Sequence, residues 1–285
     1  MADKLWIGTD GDWEAAGNWS PANQPVNADD VFILDGDDDI DGLDKSAIDL
    51  ASMSVGHGFT GSIGTSGTPL QINATTLIYN GRGASAYLSG TYTSAIAGGG
   101  MGGDDALHIG GAITSMYVVS GWMGTITFEK VDAGDGATML TLYICDAPRC
   151  TFVAASDVTG PATSAKIDSG NVTLAATCAT VEARGGQLTC TGTASYGTTA
   201  MNISSGARIR YNSSGAIGVL NLYDATLDFS DNETVGVTIT AGNIYSPKGR
   251  ILEASGACPV TYTSLKQWPA GRCVRVGAGR TIAIT

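Results

Sequence analysis

An acidic stretch near the N-terminus carries the residue type that calcium prefers. Asp37, Asp39 and Asp41 stand at alternate positions, and a glycine follows the third of them. Carboxylates in this arrangement can place several oxygens around Ca²⁺, and glycine allows the sharp turn that such a loop needs. Ile48 stands where an EF-hand loop has its bidentate glutamate. The stretch therefore predicts either a calcium site, with the three aspartates as ligands, or a solvated acidic turn without a cofactor.

Short motifs of polysaccharide-cleaving enzymes occur in the chain, but their order does not match those enzymes. Gly56-His57-Gly58 precedes Gly103-Asp104-Asp105, whereas polygalacturonase-like enzymes have an Asp-Asp pair first. Their Asn-Thr-Asp segment is missing, and Arg208-Ile-Arg210 only approximates their last motif. The sequence also lacks a Gly-x-Ser-x-Gly elbow and a phosphate-binding loop. We therefore predict that the protein is not an enzyme.

Four segments in the second half share one pattern of apolar, polar and small residues. They begin at Val181, Met201, Leu220 and Val237, so the starts are 20, 19 and 17 residues apart. Such a period is typical of solenoids, and the alternation of apolar and polar residues within each segment indicates strands. Parallel crossovers strongly favour the right hand. We predict an all-β fold, a right-handed parallel β-helix with coils of about 17–20 residues.

The repeat divides the chain into three parts. Residues 1–36 are predicted to form an N-terminal cap, in which Trp6, Trp13 and Trp19 cover the open end of the solenoid. The alternative is that these tryptophans bind sugar or contact a partner protein. Residues 37–250 are predicted to form the solenoid, with about ten or eleven coils from residue 45 onwards. Residues 251–285 are predicted to leave the repeat as a C-terminal β module.

Two further regions carry candidate partner contacts. An insertion after residue 115 contains Tyr117, Trp122 and Met123, and insertions in solenoids project from one face. The alternative is that these side chains fill a wider coil. Residues 247–285 hold six of the 15 Lys and Arg residues, among them Arg272 and Arg275. This basic end is predicted either to cap the solenoid or to mediate oligomerisation or docking.

Charge and hydropathy exclude two classes of partner. The net charge is −12, so the chain is predicted to bind neither nucleic acid nor an anionic membrane surface. No segment is apolar enough to span a bilayer. The first residues show no signal peptide, so we expect synthesis in a host cytoplasm without secretion.

Six cysteines are spread through the second half of the chain, without a C-x-x-C pair. We predict reduced thiols that pack as small apolar residues. The alternative is a bond between Cys145 and Cys150, which would close a turn. The six positions are Cys145, Cys150, Cys178, Cys190, Cys258 and Cys273.

The N-terminal motif resembles a known kind of β-solenoid opening. It runs Trp6-x-Gly8, Gly-Asp-Trp13, Asn-Trp-Ser-Pro21, Pro25 and Asp29-Asp-Val-x-Ile33. This pattern is similar to the opening of β-helical bacterial surface proteins and of phage structural proteins. A short, acidic solenoid rich in glycine and serine resembles the β-rich proteins that decorate or cement the capsids of tailed bacteriophages.

The resemblance implies a structural protein of the virion. Its partners would be the major capsid protein or other virion proteins, and a homotrimer is expected because threefold positions recur on icosahedral shells. The alternatives are a tail spike or fibre protein that binds host glycans and, less favoured, a polysaccharide-active enzyme. A decoration protein should leave the lateral faces of its coils without apolar contact surfaces and should concentrate its contacts at ends and insertions, and we predict that this chain does so. A glycan reader needs aromatics at matching positions of successive coils, and the irregular spacing of Tyr211, Tyr223 and Tyr245 argues against one.

Overall fold

The structure of the chain is a computed structural model. It describes residues 2–82, 85–99, 106–130, 137–155, 158, 163–232, 236–252, 260–267 and 274–275. Several residues singled out above lie outside this description: Gly103, Asp104, Asp105, Cys258, Arg272, Cys273 and the side chain of Arg275. The predictions made for them stay predictions.

The fold is an all-β parallel solenoid of about nine turns, with 64% of the described residues in strands. This confirms the predicted fold class. A short 3₁₀ helix spans Ala16–Asn18. Among the described residues there is no helix with the length and apolar character that crossing a membrane requires.

The strands fall into two compact units, which are described separately. Unit 1 comprises Met1–Leu140 and Ala147–Thr159, and unit 2 comprises Thr141–Asp146 and Gly160–Thr285. The first strands are β1 (Asp3–Trp6), β2 (Trp19–Ser20), β3 (Asp30–Gly36), β4 (Asp44–Phe59), β5 (Leu70–Tyr79), β6 (Ser85–Ala97), β7 (Ala106–Val118), β8 (Thr125–Phe128), β9 (Thr138–Ile144) and β10 (Ala147–Ala154). The later strands are β11 (Ser164–Ile167), β12 (Gly170–Ala175), β13 (Cys178–Ala183), β14 (Gln187–Gly192), β15 (Tyr196–Ile203), β16 (Arg208–Ser213), β17 (Ile217–Leu222), β18 (Thr226–Asp228), β19 (Val237–Ile244), β20 (Arg250–Leu252), β21 (Val260–Gln267) and β22 (Val274–Arg275).

In unit 1 the core consists of inward residues stacked in register from turn to turn. Leu88 of β6 pairs with Ile109 of β7, and Ala95 pairs with Met116. All four side chains are buried, as are Tyr92 and Ile113, which pair between them. Thr91 and Ala112, which also pair, are exposed. Side chains on a strand alternate between its two faces, so each turn contributes every second residue to the core. The apolar alternation of the sequence thus becomes a continuous column of buried side chains.

The first turns of unit 1 are longer than the sequence repeat predicts. Val31 pairs with Met53, and Met53 with Leu77, which are steps of 22 and 24 residues. Longer turns account for the difference between about nine observed turns and the ten or eleven expected.

In unit 2 the register confirms three of the four predicted repeat segments. Val181 pairs with Met201, and Met201 with Leu220. The fourth segment was placed wrongly, because Leu220 pairs with Gly242 and not with Val237. The connection before β19 is longer, and a period read from apolar residues alone cannot detect such a shift.

Parallel pairing extends beyond both predicted domain boundaries. At the start of the chain, β1 already pairs in parallel with β3. Near the end, β21 pairs in parallel with β19 over residues 260–267, and β22 pairs with β20. The described residues of this segment, 260–267 and 274–275, therefore pair with the preceding turns as the repeat does. The predicted domain boundaries stay predictions.

The three N-terminal tryptophans form a buried cluster. Trp6, Trp13 and Trp19 are at most 3% exposed, and their ring centroids lie 4.6–6.4 Å apart. The indole nitrogen of Trp19 donates a hydrogen bond to the carbonyl of Trp13. Side chains buried in this way offer no surface to a partner or a sugar, so the structure favours the capping interpretation over partner contacts.

Glycine is required where neighbouring turns approach closely at a corner of unit 1. Gly111 has a φ of +88°, and a Cβ at this position would lie 2.0 Å from the carbonyl oxygen of Gly90. A side chain there would strain the backbone and push the two turns apart. By contrast, a Cβ on Gly17 would meet no heavy atom within 4 Å.

We expect Gly111→Ala to lower the free energy of unfolding by at least about 2 kcal/mol, because it adds both strain and a backbone clash. The measurement is urea denaturation followed by tryptophan fluorescence. Gly17→Ala is the matched control and should change stability little. Equal stability of the two variants would contradict the packing described at this corner.

Candidate functional site

The predicted calcium ligands lie in an irregular segment between β3 and β4 that one isolated bridge ties to the next turn. Ile40 points inward, is buried, and forms a parallel bridge with Ile63 on the next turn. Asp37, Asp39 and Asp41 are exposed, and a carboxylate oxygen of Asp39 accepts a hydrogen bond from the Ser62 amide at 2.7 Å. In the described part of the chain, no three His, Cys, Asp or Glu side chains are placed to hold a metal ion. Calcium binding stays a prediction that this geometry does not support.

The insertion residues of unit 1 divide between core and surface. Trp122 is fully buried, and its indole nitrogen donates to the carbonyl of Gly124 at 3.0 Å. Its ring contacts that of Tyr79 edge-on, with centroids 6.4 Å apart. Trp122 therefore fills the coil, which was the alternative interpretation, and it is not available to a partner. Tyr117 and Met123 are half-buried and keep part of their surface outside.

An outward apolar column runs across three successive turns of unit 1. Ile78 pairs with Ile96, and Ile96 pairs with Tyr117. All three point away from the core and are half-buried. We call Ile78, Ile96 and Tyr117 the apolar stripe. The expectation that the lateral faces lack apolar contact surfaces was therefore wrong for this face. The stripe does include Tyr117 of the insertion, where partner contacts were predicted.

A polar groove of about 350 Å³ lies beside the glycine corner of unit 1. The side-chain amide of Asn73, which lines it, donates to the carbonyl of Ser46 and to the carboxylate of Asp49. The amide oxygen of Asn73 accepts from the backbone amide of Thr91. The central side chain of the groove is therefore committed to bonds that hold neighbouring turns together. The groove is lined by Ser46, Gln71, Asn73, Ser89, Gly90, Thr91, Gly111 and Ala112.

The two histidines have different surroundings in unit 1. His57 is exposed between two glycines that lie against the backbone of Leu34, where a Cβ would approach to 2.8 Å. His108 stacks on Tyr87, with centroids 4.2 Å apart, and its Nδ1 lies 2.6 Å from a carboxylate oxygen of Glu129. Both glycines and His108 thus have structural contacts that explain their presence.

Asparagine side chains form a ladder along one face of unit 2. The amide nitrogen of Asn221 donates to Asn202 at 2.8 Å, and that of Asn243 donates to Asn221 at 3.0 Å. The three residues are paired in register on β15, β17 and β19. Each bond crosses from one turn to the next, so the ladder stabilises the stacking of these turns.

Tyr223 and Tyr245 occupy matching positions just beyond this ladder. Their backbone amides donate to the carbonyls of Ile203 and Leu222, each on the preceding turn. The two rings stack with centroids 4.9 Å apart at an interplanar angle of 15°, and the residues are 43% and 48% exposed.

Their sequence spacing suggested no such alignment, and that expectation was wrong. Tyr211, the third residue considered with them, points inward and is fully buried. The turn that separates Tyr223 from Tyr245 is 22 residues long, so unequal turns hid the alignment. The pairing of Leu222 with Ile244 directly before the tyrosines is the feature that reveals it.

Charged side chains surround the tyrosine pair in unit 2. The ammonium group of Lys248 lies 3.6 Å from a carboxylate oxygen of Asp224. Two turns before Tyr223 in the same column, the guanidinium of Arg184 lies 3.2 Å from a carboxylate oxygen of Glu182 and 3.9 Å from one of Asp168. Aromatic rings flanked by hydrogen-bonding and charged groups are typical of ligand-binding surfaces. This face is the candidate binding site of unit 2.

Four of the cysteines are described, and all are free thiols. Cys150, Cys178 and Cys190 are buried, and Cys145 is exposed. Burial raises the pKa of Cys150 to about 12, and it also raises the pKa of Cys178 and Cys190. The three buried residues therefore behave as small apolar side chains, as predicted, and Cys145 and Cys150 are not bonded to each other.

Arg208 and Asp228 form an ion pair in unit 2, with the guanidinium 2.6 Å from the carboxylate. Asp228 is 2% exposed, whereas the Arg208 side chain is 46% exposed. Burial by itself raises the pKa of Asp228, but hydrogen bonds from Ser230 and Arg208 outweigh it and lower that pKa below 3.8. The approximate enzyme motif at residues 208–210 therefore has a structural role.

Comparison with known proteins gives no match. No family model, no curated protein and no solved structure matches this chain. The surfaces described above, together with the N-terminal motif, are therefore the basis for a functional assignment.

We expect Asp228→Asn to lower the free energy of unfolding near neutral pH by about 1–3 kcal/mol, because it removes a charged acceptor. The pKa of Asp228 is lower in the folded protein than in the unfolded chain. The stabilisation that the Asp228 carboxylate contributes is therefore fully present above pH 3.8, and it is lost as the pH falls through the pKa of Asp228 in the folded protein.

The difference between wild type and Asp228→Asn should accordingly shrink below about pH 3.8. Urea denaturation of both proteins over a pH series measures this difference. A difference that grows as the pH falls would contradict the assigned direction of the pKa shift.

Proposed function

We propose that this protein is a structural component of a phage virion that decorates or cements the capsid. The observation that carries the proposal is the apolar stripe formed by Ile78, Ile96 and Tyr117. These three side chains are spaced one turn apart, about 4.8 Å, and form a continuous apolar surface that another protein can cover. The N-terminal motif at residues 6–33 resembles phage structural proteins and supports the same assignment.

Contact through the stripe would bury apolar surface against a capsid subunit. A half-exposed isoleucine gains roughly 1 kcal/mol when a partner covers it. One copy would therefore bind weakly, and several linked copies would bind far more tightly because the later contacts form within one assembly. This argument favours a homotrimer, which fits the threefold positions of an icosahedral shell.

A structural role also agrees with how the chain uses its conspicuous residues. Trp6, Trp13, Trp19 and Trp122 all lie in the core, where they stabilise the solenoid instead of binding a substrate. Among the described residues that approximate enzyme motifs, Gly56, Gly58 and Arg208 likewise have structural contacts. We therefore propose a non-catalytic protein that functions in the virion, with the major capsid protein or another virion protein as its partner.

Binding to particles tests the docking surface. Purified chain is added to particles produced without it, and the bound copies are measured after sedimentation. We expect saturable binding by the wild type and at least about tenfold weaker binding by Ile96→Asp, because the variant places a charge in the centre of the stripe. Heating the particles afterwards should release less genome where the wild-type chain is bound.

Val219→Asp is the matched control, because Val219 is also a half-buried outward residue but lies in unit 2. It should bind particles as the wild type does. Wild-type binding by Ile96→Asp would show that the stripe is not the docking surface. A wild-type chain that fails to bind any particle would overturn the virion assignment itself.

A further inference from the structure

The column of outward residues that contains the tyrosine pair has a gap beside Tyr223. Ser204 occupies the equivalent position one turn earlier, because its amide donates to the carbonyl of Ala183 as the Tyr223 amide donates to that of Ile203. Tyr245 covers one face of the Tyr223 ring. A serine is too small to cover the other face, so that face borders an open space.

Arg184 forms the opposite wall of this space. Its backbone amide donates to the carbonyl of Ile167, which places it in the same column one turn before Ser204. The side chain is 62% exposed, and its guanidinium lies near Glu182 on its own turn and Asp168 on the preceding turn, so it is directed away from Ser204. Adjacent turns are about 4.8 Å apart, so Arg184 and the Tyr223 ring flank a space of roughly 9–10 Å.

The size of the space fits one ring. Van der Waals contact between carbon atoms needs about 4 Å on each side, so a single six-membered ring can lie between Tyr223 and Arg184. The Ser204 hydroxyl at the base can donate or accept one hydrogen bond. The negative face of a phenol ring attracts C–H groups, and a pyranose ring presents such groups on its faces.

The charges around the gap favour an uncharged ligand with hydroxyl groups. Asp168, Glu182 and Asp224 are acceptors for hydroxyl hydrogens, and they outnumber the cations Arg184 and Lys248. The chain carries a net charge of −12, which repels phosphate groups. A neutral sugar ring suits this surface better than a nucleotide.

We propose that the gap at Ser204, between Tyr223 and Arg184, binds a neutral pyranose ring of a glycan. We call this position the ring gap. It lies in unit 2 and uses none of the residues of the apolar stripe. Glycan binding is therefore a property beyond capsid docking, and either one can fail without the other.

The test uses the complete recombinant chain on an array of neutral, sialylated and phosphorylated glycans. Saturation-transfer NMR with the strongest neutral glycan then measures binding in solution. The array displays many copies of each glycan, which compensates for the weak binding expected of a single shallow site. The wild type should bind neutral glycans, and uridine monophosphate should not compete.

Variants at the gap separate ligand binding from turn stacking. Ser204→Tyr fills the ring gap with a third ring, so it should reduce binding at least about tenfold while the thermal midpoint stays equal or rises. Tyr223→Ala should reduce binding by a similar factor because it removes one wall. Ser204→Ala keeps the gap open and should bind within about threefold of the wild type.

Three results would overturn the proposal. The first is an array on which no neutral glycan binds. The second is undiminished binding by Ser204→Tyr, which would place the ligand elsewhere. The third is preferential binding of phosphorylated glycans or competition by uridine monophosphate, which would assign the gap to a charged ligand.

Discussion

Parallel hydrogen bonding in register between successive turns is the constraint on which the whole structure depends. It sets each residue about 4.8 Å from its equivalent on the next turn. Inward residues then stack into a core, as Leu88 does on Ile109, and outward residues stack into surface columns. Because the backbone bonds of one turn are completed by its neighbours, no turn is stable alone. Close approach at Gly90 and Gly111 is a direct consequence, since side chains there would separate the turns.

The same register also aligns outward side chains of successive turns into columns on the surface. Where like residues recur at one position they form a ladder, as the asparagines of unit 2 do through amide hydrogen bonds. Where apolar residues recur, as at Ile78, Ile96 and Tyr117, they form a stripe that a protein can cover. Where a small residue stands between two large ones, as Ser204 does between Arg184 and Tyr223, we propose that a ring-sized space is left. These features arise from side-chain size at fixed spacing and need no enclosed pocket.

The fold class could be predicted from the sequence, and the surfaces could not. The alternation of apolar residues and the spacing from Val181 to Leu220 indicated stacked parallel strands, and the three tryptophans indicated a cap. The register predicted from the sequence was wrong where the turn length changed. Val237 was therefore paired with the wrong residue, and the alignment of Tyr223 with Tyr245 was missed. The sequence left the burial of Trp122 open, because an aromatic residue in an insertion suits the interior of a wide coil as well as a protein interface.

We propose that the solenoid serves as a structural component of a virion. The most direct test is the number of copies in purified particles, measured by quantitative mass spectrometry against the major shell protein. The account predicts on the order of hundreds of copies, as expected for a protein that occupies symmetric positions over a shell. A handful of copies would place the protein at the tail and favour glycan binding as its main role. Its absence from purified particles would contradict the claim.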